Sequence, residues 1–229
     1  LQMAFKGEKS AVEIKGIARK TFRNFGKSFL EFLRFSRLNR DQIGKLISLE
    51  GGERLKEALA RGKGAILLTA HFGNWELMGA KIVQEGYPLW VIARHQDDPK
   101  ATELFNKLRE SKGYRVIERD TSARLALRCL KNNQILGILA DQNTIGGVFV
   151  DFFGRLASTT KGPVALAMRT RAAIIPAFII RQPDDTHRVV VEEPIELQIT
   201  GNKEDDILVN TAKCTKMIES YVRKYPDQW

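Results

Sequence analysis

Short apolar runs alternate with stretches of helical spacing from residue 65 almost to the end of the chain. The runs at 65–70, 89–94, 114–117, 135–140, 173–181 and 188–197 have strand length and are bounded by turn residues. Between them, residues 52–61, 75–85, 98–111, 122–131, 161–171 and 204–224 carry the period of amphipathic helices. Asp98-Pro99 and Pro163 stand where helices begin. Alternation of this kind predicts an α/β domain with a mainly parallel, partly mixed central sheet flanked by helices.

The first forty residues follow another pattern. Helical spacing runs from about Ser10 to Arg37, with Phe22, Phe25, Phe29 and Phe32 along one face and Lys20, Arg23, Lys27 and Arg34 on another. Residues 1–40 hold ten basic groups against three acidic ones, so +7 of the net charge of +10 sits there. Basic ends of this kind contact nucleic acid or anionic lipid. The phenylalanines fit either a core-facing stripe or a helix lying on a membrane surface, and the pattern leaves both open. No run approaches the roughly 20 apolar residues of a membrane span.

At 229 residues and 43% hydrophobic content the chain fits one domain with one core, spanning residues 1–229. Cys129 and Cys214 are far apart, without metal-ligand or pairing spacing, and read as buried thiols. The three histidines offer no metal-site spacing, and no cofactor is expected.

The strand at 65–70 stops at His71-Phe72-Gly73-Asn74-Trp75-Glu76 and a helix follows. A histidine in a strand-to-helix turn is where α/β enzymes place their chemistry. Gly73 permits a tight turn and Asn74 is a helix cap, so Glu76, in the first helical turn, is the expected orienting carboxylate for a general base at His71. Arg94 and Asp141-Gln142 end two further strands, which would bring them to the same crevice. Each also has an ordinary reading, a surface ion pair for Arg94 and a turn cap for Asp141. Phe152-Phe153-Gly154-Arg155, with Ser158 and Lys161 just ahead of a helix N-terminus, suits a phosphate bearing an apolar tail, or simply an aromatic pair and a cap.

The order of residues in HFGNWE resembles the His-x-x-x-x-Asp/Glu motif of glycerolipid and lysophospholipid acyltransferases. Together with Arg94 in VIAR, DQN at 141–143, GVFVDFFG at 147–154, STTKGP at 158–163 and IIPAF at 174–178, it resembles the lipid A biosynthesis acyltransferases over almost the whole chain. The resemblance implies transfer of a fatty acyl group from an acyl carrier protein or coenzyme A thioester to a hydroxyl of a phosphorylated glycolipid. It assigns His71 and Glu76 as the catalytic dyad and Arg94 to substrate binding; Asn74, Asp141, Gln142, Gly154, Arg155, Ser158 and Lys161 are further substrate-binding candidates from their places in the sequence. The resemblance also implies an anionic membrane surface as partner, the cytoplasmic face of a bacterial inner membrane as location, and a hydrophobic anchor ahead of residue 1. The Glu-Gly-Thr-Arg block of the broader superfamily is not present as such; residues 141–155 take its place.

Three other readings are weaker. A nucleic-acid module lacks any recognition signature despite the pI near 9.7. A hydrolase lacks a nucleophile elbow. An acyltransferase for another glycolipid or a lysophospholipid differs only in acceptor.

Overall fold

The structure, a computed structural model, describes residues 1–118 and 122–229, the Ser122 side chain excepted. Seven strands form one sheet: β1 (Ile47–Glu50), β2 (Ala65–Thr69), β3 (Leu89–Ala93), β4 (Arg115–Glu118), β5 (Ile135–Leu139), and two later strands, Ala173–Arg181 and His187–Val191. Those two are named β8 and β9, because a separate antiparallel hairpin, β6 (Val148–Phe152) and β7 (Arg155–Thr159), precedes them. The order across the sheet is β1-β9-β8-β2-β5-β3-β4, and every pairing is parallel except β8 with β9. A mainly parallel, partly mixed sheet was the expectation from the pattern, and it is what forms.

All five residues of β2 are buried, which is why its sequence reads as continuously apolar. Period-2 alternation sends Ile66 and Leu68 to one face and Ala65 and Leu67 to the other. The first face is covered by α6 (Ser122–Lys131), α7 (Gly162–Thr170) and α8 (Lys203–Lys224), through residues such as Leu130, Val164, Ile218 and Val222. The second is covered by α2 (Arg40–Leu46), α3 (Gly52–Ala60), α4 (Trp75–Gln84) and α5 (Pro99–Glu110), through Ile43, Leu55, Leu77 and Leu108.

Helix α1 (Ala11–Leu33) starts at a capping box in which Ser10 and Glu13 bond each other's backbone N–H. It is inverted relative to a core-packing helix. Its polar residues Asn24, Ser28 and Glu31, at spacings of 4 and 3, meet the body: Asn24 Nδ2 donates to the Asp227 carbonyl at 2.9 Å, and the Arg181 guanidinium reaches Ser28 Oγ at 3.1 Å and both oxygens of Glu31 at 2.6 and 2.8 Å. Phe22, Phe25 and Phe29 are 80%, 61% and 46% exposed, and only Phe32 of the aromatic stripe is buried. The alternative in which all four pack on the core is therefore excluded.

The structure departs from the pattern in four places, one of them the β6–β7 hairpin, where the pattern showed no strands. The helix expected to reach Arg37 ends at Leu33 and passes into a 3-10 turn, Phe35–Arg37; α2 and β1 carry too few residues to show a period. The strand expected at 188–197 ends at Val191. Pro194 has no N–H, and beyond it the chain runs beside β8 with Ile195 N–H on the Ile174 carbonyl while Asn210 and Asp206 clamp Gln198 and Thr200. Among the described residues, no helix is long and apolar enough to cross a membrane.

Candidate active site

The chain leaves β2 through α4 on one face of the sheet, and the chain leaving β5 reaches α7 on the other. Neighbouring parallel strands whose connections diverge open a crevice beyond their C-terminal ends. Register decides what meets there. Thr69 pairs with Leu139 and the Ala140 N–H bonds the Thr69 carbonyl at 3.0 Å, so the residues two beyond each, His71 and Asp141, face one another.

His71 Nδ1 lies 2.9 Å from Asp141 Oδ1. The Asp141 side chain is almost wholly buried, and burial by itself would raise its pKa; hydrogen bonding and the charge of His71, with the indole N–H of Trp229, outweigh that and hold the pKa below the ordinary carboxylate value. An ionised carboxylate can only accept, so the donor is the His71 Nδ1–H. That fixes the tautomer and leaves the Nε2 lone pair free to take a proton. The imidazole is a third exposed and rests edge-on against Trp75, with ring centres 5.1 Å apart. Gly73 makes the turn: its φ is +59°, and a Cβ there would lie 2.0 Å from the Ile179 carbonyl oxygen.

The carboxylate on His71 is thus Asp141, which corrects the expectation that Glu76 orients it. Glu76 is buried in α4 and bonded elsewhere. Arg109 of α5 reaches it through Nη2 at 2.6 Å and Nε at 3.1 and 3.2 Å, and the Tyr114 hydroxyl donates at 2.6 Å. Burial, then the neighbouring Glu76 carboxylate, push the Tyr114 pKa well up, so the phenol keeps its proton. As the second residue of the helix, Glu76 turns its side chain into the α4–α5 packing, while His71 stands before the helix begins.

The other expected site residues divide. Gln142 and Ser158 line a half-open cavity of about 170 Å³ that runs from Asp141 past Phe152 to Thr215 and Ile218 of α8. The Ser158 hydroxyl donates to the Thr144 carbonyl at 2.6 Å. Asn74 caps α4, accepting from Leu77 N–H at 3.2 Å, and its amide donates to Glu31 at 2.7 Å, so its polar atoms are turned to the fold. Arg94 is at the end of β3 but largely exposed and paired with Asp97 at 2.9 Å. Gly154 is in the β6–β7 turn, and Arg155, beside it, contacts the Met3 sulfur at 3.0 Å. Lys161 is exposed at the cap position of α7. Arg109, Tyr114 and Trp229 carried no local signal, because their partners are 33, 38 and 88 residues away in sequence.

No group of three or more His, Cys, Asp or Glu close enough to hold a metal ion occurs among the described residues. Cys129 and Cys214 are buried, and burial pushes both thiols up to about 12.

The sequence profile of the family described as bacterial lipid A biosynthesis acyltransferase matches residues 1–229. The chain is 26% identical over 219 residues to a phosphatidylinositol mannoside acyltransferase of Mycolicibacterium smegmatis, covering 93% of this chain and 70% of the relative. It is 32% identical over 161 residues to the protein of that name from Mycobacterium tuberculosis, 67% of this chain and 51% of the relative. A lipid A biosynthesis acyltransferase of Haemophilus influenzae is 25% identical over 181 residues, 78% of this chain and 55% of that one. The chain therefore spans from about half to seven-tenths of these relatives' length. With a buried carboxylate holding an imidazole at the strand-end crevice and the profile matched from end to end, the chain belongs to the bacterial lipid A biosynthesis acyltransferase family of acyltransferases.

Proposed function

We propose that the protein transfers a fatty acyl group from a thioester of acyl carrier protein or coenzyme A to a hydroxyl of a glycolipid, with His71 as general base and Asp141 as its orienting carboxylate. The observation that carries the mechanism is the His71–Asp141 hydrogen bond at 2.9 Å in a family member. His71 Nε2 takes the proton of the acceptor hydroxyl as its oxygen attacks the thioester carbonyl. The imidazolium so formed is stabilised by the Asp141 charge, and the carbonyl re-forms as the thiolate leaves, needing little acid assistance. The cavity beside Asp141 is a candidate for part of the acyl chain, since Phe152, Ala157 and Ile218 line it.

A lipid A precursor, a phosphorylated and acylated glucosamine lipid, is the acceptor that the family favours. Relatives named for phosphatidylinositol mannosides at 26% and 32% identity favour a second reading, an acyltransferase for another glycolipid. Purified protein given acyl carrier protein and coenzyme A thioesters with a lipid A precursor, a phosphatidylinositol mannoside and a lysophospholipid tests both. Transfer to the first supports the main reading and transfer to the second supports the alternative. Transfer only to the lysophospholipid, or thioester hydrolysis alone, overturns the glycolipid assignment.

The inverted α1 supports a further part of the reading: attachment to an anionic surface such as the cytoplasmic leaflet of an inner membrane. Exposed Phe22, Phe25 and Phe29 would enter the interface while Lys20 and Arg23 meet lipid phosphates.

A further inference from the structure

Residues 226–229 lie across the catalytic turn. The 3-10 turn Pro226–Gln228 is fastened to three elements: the Gly73 N–H donates to the Gln228 carbonyl at 2.8 Å, the Gln228 side chain bonds the Arg181 N–H and carbonyl at 2.8 and 3.1 Å, and Asn24 of α1 holds the Asp227 carbonyl. These anchors deliver the next residue to the base. The Trp229 indole N–H donates to Asp141 Oδ2 at 2.8 Å, while Oδ1 of the same carboxylate takes His71. Phe152 packs against the indole, with ring centres 5.8 Å apart at an interplanar angle of 78°.

Two side-chain donors, one on each oxygen, with a lesser contribution from the His71 backbone N–H, set the rotation of a carboxylate whose side chain is 3% exposed. With one of them gone, Oδ2 would be buried with a bond unmade, and the group would turn or take in water to satisfy it. Either change loosens the hold on the imidazole. Trp229 has no contact with the ring of His71 among the bonds and ring pairs of the described residues, so its influence passes through Asp141.

We propose that Trp229 is a positioning residue: its indole N–H holds Asp141 in the rotamer that fixes the His71 tautomer and aim. The inference rests on the reading of His71 as the base and deepens it. Trp229→Phe keeps an aromatic ring beside Phe152 and leaves the bonds of the 226–228 anchors untouched while removing the donor together with part of the indole's bulk. The measurements are the ¹⁵N and ¹H resonances of the His71 imidazole in labelled full-length protein, thermal unfolding, and steady-state transfer from an acyl carrier protein thioester. Expected are a shifted or exchange-broadened His71 Nδ1–H signal, a fall in kcat of about 10- to 100-fold, and KM changed by less than about twofold, on the scale seen for partners of a functional histidine's own partner. In an Asp141→Asn background Trp229→Phe should then add little.

An unchanged His71 signal with unchanged kcat would overturn the proposal, as would a rise in KM alone, which would make Trp229 a substrate wall. If Trp229→Phe fails to fold, benzothienylalanine at 229, which replaces the indole N–H by sulfur in the same shape, tests the same donor. Should wild-type protein transfer no acyl group at all, the imidazole resonances still decide the role of Trp229, and the acyltransferase reading falls separately.

Discussion

His71 and Glu76 lie five residues apart but bond to different partners, and substitution separates their contributions. His71→Ala should lower transfer by about 10² to 10⁴, the usual scale for losing a general base, and should also lower the unfolding temperature, because buried Asp141 loses one of its donors. Wild-type turnover in a folded mutant would remove His71 from the mechanism. Glu76→Ala leaves the Arg109 guanidinium and the Tyr114 hydroxyl buried without their acceptor, so its first effect is on stability, about 3 to 5 kcal/mol by denaturant unfolding. Near-native stability with transfer abolished would put Glu76 in the chemistry instead. A third carboxylate, Glu31, gives a pH signature. Burial would raise its pKa, but His187, Arg181 and Asn74 outweigh this and hold it down to about 2 from 4.5. The Arg181 and Asn74 contacts are hydrogen bonds, whereas His187 Nε2, 3.6 Å away, acts through space. Because the folded pKa is the lower one, the contribution is full above about pH 4.5 and fades as pH falls toward 2. Glu31→Gln should therefore flatten the acid limb of stability against pH in that window, and an unchanged limb would show the network to be idle.

At the scale of elements, α1 concentrates the departure from ordinary packing. A helix that turns Asn24, Ser28 and Glu31 inward and three phenylalanines outward leaves apolar surface uncovered, which in a basic segment fits an anionic interface. Lys27 is engaged with Asp185 at 2.6 Å, so the cations available to lipid on this stretch are better represented by Lys20 and Arg23. Lys20→Glu with Arg23→Glu should weaken binding to anionic vesicles by about 2 kcal/mol or more at low salt, roughly thirtyfold, and the difference should shrink as salt rises. Phe25→Ser should weaken it without changing thermal unfolding, while Phe32→Ser, at a buried position, should lower unfolding temperature. Pelleting that ignores all of these would assign membrane attachment elsewhere. The amphipathic pattern announced the helix, but nothing in it says which face turns inward, since that depends on Arg181, 150 residues away from Glu31.

For the whole molecule, the crevice holds the proposed base His71, with no activated protein nucleophile beside it among the described residues. Both cysteines are buried with thiols pushed up to about 12, and the Ser158 hydroxyl is given to a backbone carbonyl. Acyl transfer should therefore be direct, within a complex of both substrates, and double-reciprocal plots should intersect. Incubation with acyl donor alone should leave the intact mass unchanged. A stoichiometric adduct lost in Ser158→Ala or Cys129→Ala would show a covalent route.

The sequence by itself determined the helices from residue 52 onward, the strands of the central sheet from β2 onward, the parallel character of that sheet and the placing of His71 at a strand end, because periodicity, caps and Gly73 act over a few residues; the β6–β7 hairpin was not legible in it. It also made Asp141 a candidate, as the polar stop of another strand. Tertiary structure alone decided that β5 lies beside β2 in the register that faces Asp141 to His71, that Glu76 goes to Arg109 and Tyr114, and that Trp229 closes the carboxylate's second oxygen. Those are choices among many polar groups separated by 33 to 88 residues. Burial settles them, since a carboxylate taken out of water must find donors wherever the packed chain brings them.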